Sequence, residues 1–151
     1  MEIVFREAAR LLQHQATPFV LATVVRTRGS TPQKPGAKLL IRKDGSGVGT
    51  IGGGCVEGDI WFAAKMLLRD GGPAEHKDYK LNEELAAQDG LVCGGTMYFL
   101  IDPVYRPEEY QTYANEIVRA YEGGPPVALI SLVKTAKAKG IVGTKLFVRQ
   151  D

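Results

Sequence analysis

The chain repeats one strand-loop-strand pattern, and this repeat limits the folds that it can adopt. PFVLATVVRT at residues 18–27 matches PVALISLVKT at residues 126–135, and GAKLLIRKD at residues 36–44 matches GTKLFVRQD at residues 143–151. The connection between the two parts is one residue shorter in the second copy. A helical pattern precedes each copy, so we expect two helix–hairpin units related by approximate symmetry.

The patterns around the repeat predict an α/β fold, a mixed β-sheet flanked by helices, in a single domain over residues 1–151. Apolar residues at helical spacing predict helices over residues 2–15, from the triple glycine to residue 70, and from Pro107 onward. The last of these should bury Tyr110, Ala114, Ile117, Val118 and Tyr121. A further short helix is expected at residues 82–88. Strands are predicted at residues 19–27, 38–42, 47–51, 75–81 and 96–102.

Composition and charge exclude several classes of protein. Hydrophobic residues make up 44% of the chain and charged residues 24%, which is typical of a globular protein. The net charge of +2 is spread along the sequence, so we expect neither a nucleic-acid nor a membrane partner. The basic group near the end is predicted to lie on a solvated hairpin; it comprises Lys134, Lys137, Lys139 and Lys145.

Cytoplasmic residence is the default expectation, because no run approaches the roughly 18 apolar residues of a membrane span and no signal sequence is recognisable. In a reducing compartment Cys55 and Cys93 would be free thiols. His14 and His76 have no ligand spacing to either cysteine, so we expect no zinc-type metal site.

The segment GTIGGGCVEGD at residues 49–59 is the main candidate site. Gly52, Gly53 and Gly54 open a predicted helix, where unpaired backbone N–H groups can hold a phosphate or another oxyanion. A helix N-terminus also favours the thiolate form of a cysteine, which would make Cys55 a better nucleophile or metal ligand. Glu57 and Asp59 add negative charge there, and could act as hydrogen-bonding or acid/base groups.

Cys93, Gly94 and Gly95 form a second cysteine–glycine element at the entry to a predicted strand. Its bare backbone could also line a cleft. The alternative is that both cysteines are small hydrophobic core residues beside turn glycines. A third pattern, G-x-G-x-x-G at residues 47–52, is not expected to bind a dinucleotide, because the preceding strand ends too early, at an Asp-Gly turn.

Residues 20–60, which contain GSTP and GGGC-x-E, together with GLVCGGTMYFLI at residues 90–101, resemble the XdhC/CoxI family. Members are accessory factors for xanthine dehydrogenase and related molybdenum hydroxylases. Many continue into a C-terminal Rossmann-like domain, so the chain is similar to the N-terminal module alone. The residues that the resemblance assigns to cofactor binding are Gly52, Gly53, Gly54, Cys55, Cys93, Gly94, Gly95, Gly29 and Ser30, with Glu57 beside them.

The resemblance implies a chaperone, not an enzyme. Such a protein binds molybdenum cofactor (molybdopterin), assists its sulfuration or protects it, and inserts it into a hydroxylase of the xanthine dehydrogenase or carbon monoxide dehydrogenase type. A cysteine desulfurase and a second copy of the chain are further expected partners. Cys55 could contact molybdenum. Two alternatives stay open: a sulfur-transfer or redox enzyme that uses Cys55 as nucleophile, and an interaction module with structural cysteines.

Overall fold

The computed structural model of the chain describes residues 1–14, 17–81, 94–135 and 140–150. Ten elements occur there in chain order. They are α1 (Glu2–His14), β1 (Phe19–Arg28), β2 (Lys38–Arg42), β3 (Gly47–Gly49), α2 (Gly54–Asp70), β4 (Glu75–Lys80), β5 (Thr96–Val104), α3 (Pro107–Tyr121), β6 (Val127–Ser131) and β7 (Lys145–Arg149). The helix expected at residues 82–88 lies outside the described residues.

Five strands form one sheet in the order β3-β2-β1-β5-β4, and β6 pairs with β7 in a separate hairpin. The predicted α/β class, with helices flanking a sheet, is confirmed. In one detail it is corrected, because each strand pairing is antiparallel where we expected a mixed sheet. For β1, β2 and β3 the physical reason is that they follow one another through short connections, whereas a parallel pair needs a longer crossover. The direction of β5 is set by its pairing with β1, a strand far away in the sequence.

The sheet separates two apolar cores because successive side chains of a strand point to opposite faces. On one face α2 packs its buried side chains Val56, Ile60, Ala64 and Leu67 against the sheet. The opposite face packs against α1 and α3 through a second cluster that includes Phe19 and Leu21 of β1. Within the described ranges, no helix has the length and apolar character needed to cross a membrane.

The two copies of the repeat fold into hairpins with the same register, as the symmetry prediction requires. Equivalent facing pairs are Phe19–Arg42 and Thr23–Lys38 in the first hairpin, and Val127–Arg149 and Ser131–Lys145 in the second. The hydrogen bonds beyond the strands also correspond. The Gly36 N–H donates to the Val24 carbonyl at 2.8 Å, and the Gly143 N–H donates to the Leu132 carbonyl at 2.8 Å.

The preceding helices belong to the repeat as well. α1 and α3 pack against each other, and each supplies a carboxylate to the last arginine of the hairpin that follows it. Glu7 pairs with Arg42 at 2.8 Å, and Glu116 pairs with Arg149 at 2.7 Å. The repeated unit is therefore a helix followed by a hairpin.

The two hairpins differ in what covers their second face. In the first hairpin Leu39 is 1% exposed and lies in the core under α2. Its equivalent in the second hairpin, Leu146, is 61% exposed, and Ile130 and Val148 beside it are exposed too. One sequence pattern thus forms a buried sheet face in the first copy and an open apolar face in the second.

Two expected burial states are wrong. Tyr121 was expected in the core but is exposed, because it is the last residue of α3, where the chain leaves the sheet. Lys145 was expected in solvent, but its side chain is 16% exposed and pairs with Asp102. Lys134 is exposed as predicted, whereas Lys137 and Lys139 lie outside the described residues.

Equivalent truncations in the two hairpins should differ in cost. We expect Leu39→Ala to lower the free energy of unfolding by about 2–5 kcal/mol, because it leaves a cavity under α2. Leu146→Ala should change it by less than about 0.5 kcal/mol, because the side chain is already in water. Urea denaturation of both variants checks this. Equal losses would mean that the open face is covered in solution.

Candidate functional site

Three of the predicted motif segments meet at one end of the sheet. A Cβ placed on Gly29, in the turn after β1, would lie 3.1 Å from the Cα of Gly95, just before β5. A Cβ placed on Gly52 would lie 2.8 Å from Cγ of Pro32 in the same turn. The turn after β1 therefore lies between the glycine loop before α2 and the Gly94–Gly95 pair.

Gly95 is at the centre of this contact. A Cβ there would lie 2.6 Å from the carbonyl oxygen of Arg28 and would also clash with the carbonyl oxygen of Ser30, so only glycine fits. Its own carbonyl accepts a hydrogen bond from the Leu81 N–H at 2.9 Å. Cys93 lies outside the described residues, so its part in the site stays a prediction.

The glycine loop before α2 needs glycine for its backbone conformation. Gly52, Gly53 and Gly54 have φ angles of 136°, 70° and 60°, in the region that side chains rarely allow. A Cβ on Gly53 or on Gly54 would meet nothing within 4 Å. The loop therefore has a left-handed path and an open surface beside the start of α2.

The inner side of the loop already holds a negative charge of the protein itself. The Glu57 carboxylate accepts hydrogen bonds from the Thr50 hydroxyl at 2.7 Å, the Ile51 N–H at 3.1 Å and the Gly53 N–H at 3.1 Å. Partial burial alone would raise the pKa of Glu57, but these hydrogen bonds outweigh it and lower the pKa. Part of the expected anion cradle is thus filled by Glu57, which stays ionised and anchors the loop.

The outer side of the loop is open. No side chain caps the N-terminus of α2, and its first residues are Gly54, Cys55 and Val56. The N–H groups of a helix's first turn have no partner within the helix, and the helix dipole adds positive potential there. Cys55 is exposed beside them. An anion approaching from solvent would therefore meet the exposed backbone of Gly54 and Cys55 together with the thiol.

Tyr79 is a neighbour of this site that the sequence patterns did not indicate. The pKa of its hydroxyl is raised, first by partial burial and then by its interactions with Asp59 and Cys55. It reaches α2 because β4 is an edge strand in which Tyr79 faces Met97 of β5. Alternation within EHKDYK indicates a strand. It does not give the register between β4 and β5, which places Tyr79 near α2.

The G-x-G-x-x-G pattern serves packing. Its first glycine, Gly47, begins β3, and a Cβ there would lie 2.6 Å from the Trp61 ring and 2.9 Å from the carbonyl oxygen of Leu40. β3 pairs with β2 in antiparallel orientation, unlike the parallel strands of a dinucleotide-binding unit. Among the described residues, no three His, Cys, Asp or Glu side chains come together as a metal-binding group.

The fold and the site define the class of the protein: an α/β domain in which a glycine loop presents an exposed cysteine at the start of a helix. Residues 12–80, somewhat less than half of the chain, match the XdhC and CoxI family model. The match includes β1, β2, the glycine loop and Cys55. The family resemblance inferred from the motifs is therefore confirmed.

Curated relatives match parts of the chain. An uncharacterized Escherichia coli K12 protein, YqeB, is 40% identical over 98 residues, 65% of this chain and 18% of its own length. A Bacillus subtilis 168 protein named as a probable xanthine dehydrogenase component is 48% identical over 48 residues, 32% of this chain and 14% of its own. The E. coli K12 molybdenum cofactor insertion chaperone PaoD is 38% identical over 52 residues, 34% of this chain and 16% of its own. The chain thus spans less than a fifth of the length of each of these relatives.

A solved structure has the same fold. It is a crystal structure described as a xanthine dehydrogenase (BH1974) from Bacillus halodurans, with a TM-score of 0.70. The likeness covers 98% of this chain and 43% of that one at 23% sequence identity. At this identity the likeness supports the arrangement of helices and strands.

The first prediction for the site concerns Glu57. We expect Glu57→Gln to lower the free energy of unfolding by about 1–2 kcal/mol at pH 7, because it weakens three hydrogen bonds to a charged acceptor. The folded-state pKa of Glu57 lies below its ordinary value of 4.5, so its contribution is complete above pH 4.5 and disappears as the pH falls through the folded pKa. The difference between wild type and variant should therefore shrink in acid.

Chemical denaturation at several pH values measures this effect. Glu108→Gln is the matched control, because Glu108 is an exposed acidic residue in the first turn of α3. We expect it to change stability by less than about 0.5 kcal/mol. A Glu57 effect that is equally small, or that grows in acid, would contradict the anchoring role.

The second prediction compares two glycines that both have open space around a Cβ. Gly53 has a positive φ, whereas Gly58 lies inside α2. Gly53→Ala should cost about 1–2 kcal/mol through backbone strain, and Gly58→Ala should gain about 0.5–1 kcal/mol from better helix propensity. Thermal unfolding of both variants gives the two signs. Stabilisation by Gly53→Ala would contradict the left-handed loop.

Proposed function

We propose that the chain is the cofactor-holding module of an accessory protein that binds molybdenum cofactor, assists its sulfuration or protects it, and helps to insert it into a molybdenum hydroxylase. The family segment at residues 12–80 supports this class of function. The name of one relative, a molybdenum cofactor insertion chaperone, supports the choice of cargo. The cofactor is cargo here, and the client would be of the xanthine dehydrogenase or carbon monoxide dehydrogenase type.

The observation that carries the proposal is the exposed Cys55 at the uncapped N-terminus of α2, with open space over Gly53 and Gly54. Molybdopterin has a phosphate, and phosphates bind at helix N-termini through backbone N–H groups. A thiolate is a soft ligand suited to a metal that already has sulfur ligands. The backbone N–H groups at the start of α2 therefore suit the phosphate of the cofactor, and Cys55 suits its metal.

Glu57 decides where the phosphate would bind. Its carboxylate occupies the Gly53 N–H, so a phosphate at that group would have to displace a like charge. Gly54 and Cys55 are exposed in the first turn of α2, whereas Val56 is 4% exposed and lies in the core. We therefore assign phosphate binding to the N–H groups of Gly54 and Cys55 and loop anchoring to Glu57.

This arrangement favours a protein that binds the cofactor over a thiol enzyme that converts a substrate. A thiol enzyme activates its nucleophile through a helix N-terminus, through a general base within hydrogen-bond reach, or through both. The Glu57 carboxylate is engaged by the loop backbone, and Tyr79, with its raised pKa, is a poor base at neutral pH. An acid/base role for Glu57 belongs to the enzyme alternative, whereas contact between Cys55 and molybdenum, a cysteine desulfurase partner, a homodimer and cytoplasmic residence remain parts of the proposal.

Removal of the thiol should abolish tight cargo binding. We expect the full chain to bind molybdopterin and Cys55→Ala to bind at least about tenfold more weakly, a loss of about 1.4 kcal/mol, because the soft ligand is lost while the fold is kept. Anaerobic ultrafiltration with fluorescence detection of the oxidised pterin measures the bound fraction. Cys93→Ala tests the second predicted cysteine in the same assay.

Phe62→Ala is the matched control, since it truncates an exposed side chain of the same helix about two turns beyond the loop, and it should bind as the wild type does. If neither wild type nor Cys55→Ala binds molybdopterin, the cofactor-holding proposal is wrong. If both bind equally, the assignment of Cys55 is wrong. Catalytic sulfur transfer with many turnovers, lost in Cys55→Ala, would favour the enzyme alternative.

A further inference from the structure

A cavity of about 490 Å³ lies between the two helix–hairpin units, on the sheet face opposite α2. Both copies of the repeat contribute to its walls. The first hairpin supplies Leu21 and Lys38, the second supplies Leu129 and Lys145, and β5 supplies Asp102. Its volume falls within the range of small-molecule sites in proteins.

The two lysines are equivalent positions of the repeat. Lys38 begins β2 opposite Thr23, and Lys145 begins β7 opposite Ser131. Both ammonium groups lie close enough to Asp102 to oppose the rise in its pKa that burial causes. Lys145 makes the direct contact, with 2.6 Å between its Nζ and Oδ2 of Asp102. The repeat thus brings two positive charges to one buried carboxylate.

This arrangement leaves one positive charge uncompensated. Lys145 and Asp102 neutralise each other, whereas Lys38 has no carboxylate within ion-pair distance among the residues that the structure describes. Its ammonium donates a hydrogen bond to the Thr23 hydroxyl at 2.9 Å and lies 5.9 Å from the centre of the Phe5 ring. Burial lowers the pKa of Lys38 to about 8, so it is still largely protonated at neutral pH. An ammonium group has three N–H donors, and the structure gives an acceptor to one of them.

The cavity wall also contains an unpaired hydroxyl. Tyr110 of α3 is 3% exposed and lines the cavity. Its hydroxyl has no hydrogen-bond partner within the described part of the chain. A buried hydroxyl without a partner destabilises a fold, and such groups are rare. Lys38, which uses one of its three N–H groups on Thr23, and Tyr110, whose hydroxyl has no acceptor among the described residues, are therefore two residues of the cavity wall with unused donors.

We propose that this cavity is a binding site for a small organic carboxylate, whose head group accepts hydrogen bonds from Lys38 and Tyr110 and whose apolar body packs against Leu21 and Leu129. A single negative charge matches the single uncompensated ammonium. A doubly charged phosphate would leave one negative charge in the cavity without a counter-charge. The bound molecule would contact both repeats and stabilise their arrangement.

This site is separate from the cysteine loop. Leu21 and Thr23 belong to the strand face that packs against α1 and α3, whereas α2 packs on the other face. Loss of molybdopterin binding would therefore leave the carboxylate site unaffected, and the two proposals can fail independently.

Four probes with the same alkyl body separate the head-group chemistries. The full chain is titrated by calorimetry with hexanoate, hexyl phosphate, hexanol and hexylamine, and its thermal unfolding midpoint is followed with each. We expect hexanoate to bind saturably with one molecule per chain and to raise the midpoint, since a ligand that binds only the folded state stabilises it. Hexanol and hexylamine should not bind. Tighter binding of hexyl phosphate than of hexanoate would overturn the choice of a carboxylate.

Two variants test the donors. Lys38→Met keeps the length of the side chain without its charge and should weaken hexanoate binding at least about tenfold, equivalent to about 1.4 kcal/mol. Lys43→Met, a change at an exposed lysine of the same hairpin, should leave binding unchanged. Equal affinity of Lys38→Met and wild type would overturn the site.

Tyr110→Phe decides the outcome even if Lys38→Met does not fold. It removes only the unpaired hydroxyl, so the free protein should unfold at an equal or higher temperature while hexanoate binds several-fold more weakly. Tyr113→Phe, a change to a neighbouring tyrosine outside the cavity wall, is the control and should alter neither property. No saturable binding of hexanoate to the wild type, or unchanged affinity in Tyr110→Phe, would show that these groups are purely structural.

Discussion

The ion pair between Lys145 and Asp102 fixes the second helix–hairpin unit on the sheet. Asp102 faces Leu21 of the central strand β1, and its side chain is 6% exposed. Burying a charge is costly, and leaving it without its partner costs more than the pair itself contributes to stability. The second hairpin is therefore held where Lys145 can reach Asp102. The cavity between the repeats lies beside this ion pair, since both Lys145 and Asp102 line it.

Much of the fold follows from local patterns. The bounds of β2 are those predicted, and the register of β6 with β7 repeats that of β1 with β2, because alternation and turn glycines act over a few residues. Burial of Lys145 could not be predicted in this way. Its sequence neighbourhood is that of a solvated lysine, and the carboxylate that neutralises it lies on a strand from another part of the chain. The antiparallel direction of the sheet likewise depends on which distant strands become neighbours.

The sequence predicted which types of residue form the candidate site, but it predicted less well what each residue does. Three consecutive glycines before a helix indicate a strained loop, and the φ angles of Gly52, Gly53 and Gly54 agree. Glu57 and Asp59, however, are two acidic residues in or near one helical turn, and the sequence does not distinguish them. The left-handed path of the loop turns the N–H groups of Ile51 and Gly53 toward Glu57, which therefore anchors the loop. Asp59 faces Tyr79 instead.

The central strand β1 contributes to both proposed sites, at two points that lie far apart along it. Thr23 of β1 lies in the cavity wall beside Lys38, whereas the Arg28 carbonyl at the end of the same strand touches Gly95 at the cysteine end of the sheet. Five residues of a strand span roughly 17 Å, which is farther than direct coupling between side chains usually extends. The pairing of β1 with β5 shifts register between Val24 and Arg26, so a bulge lies between the two sites. Because a bulge interrupts the hydrogen-bonded ladder locally, strain caused by a ligand at one end of β1 can be absorbed there before it reaches the other end.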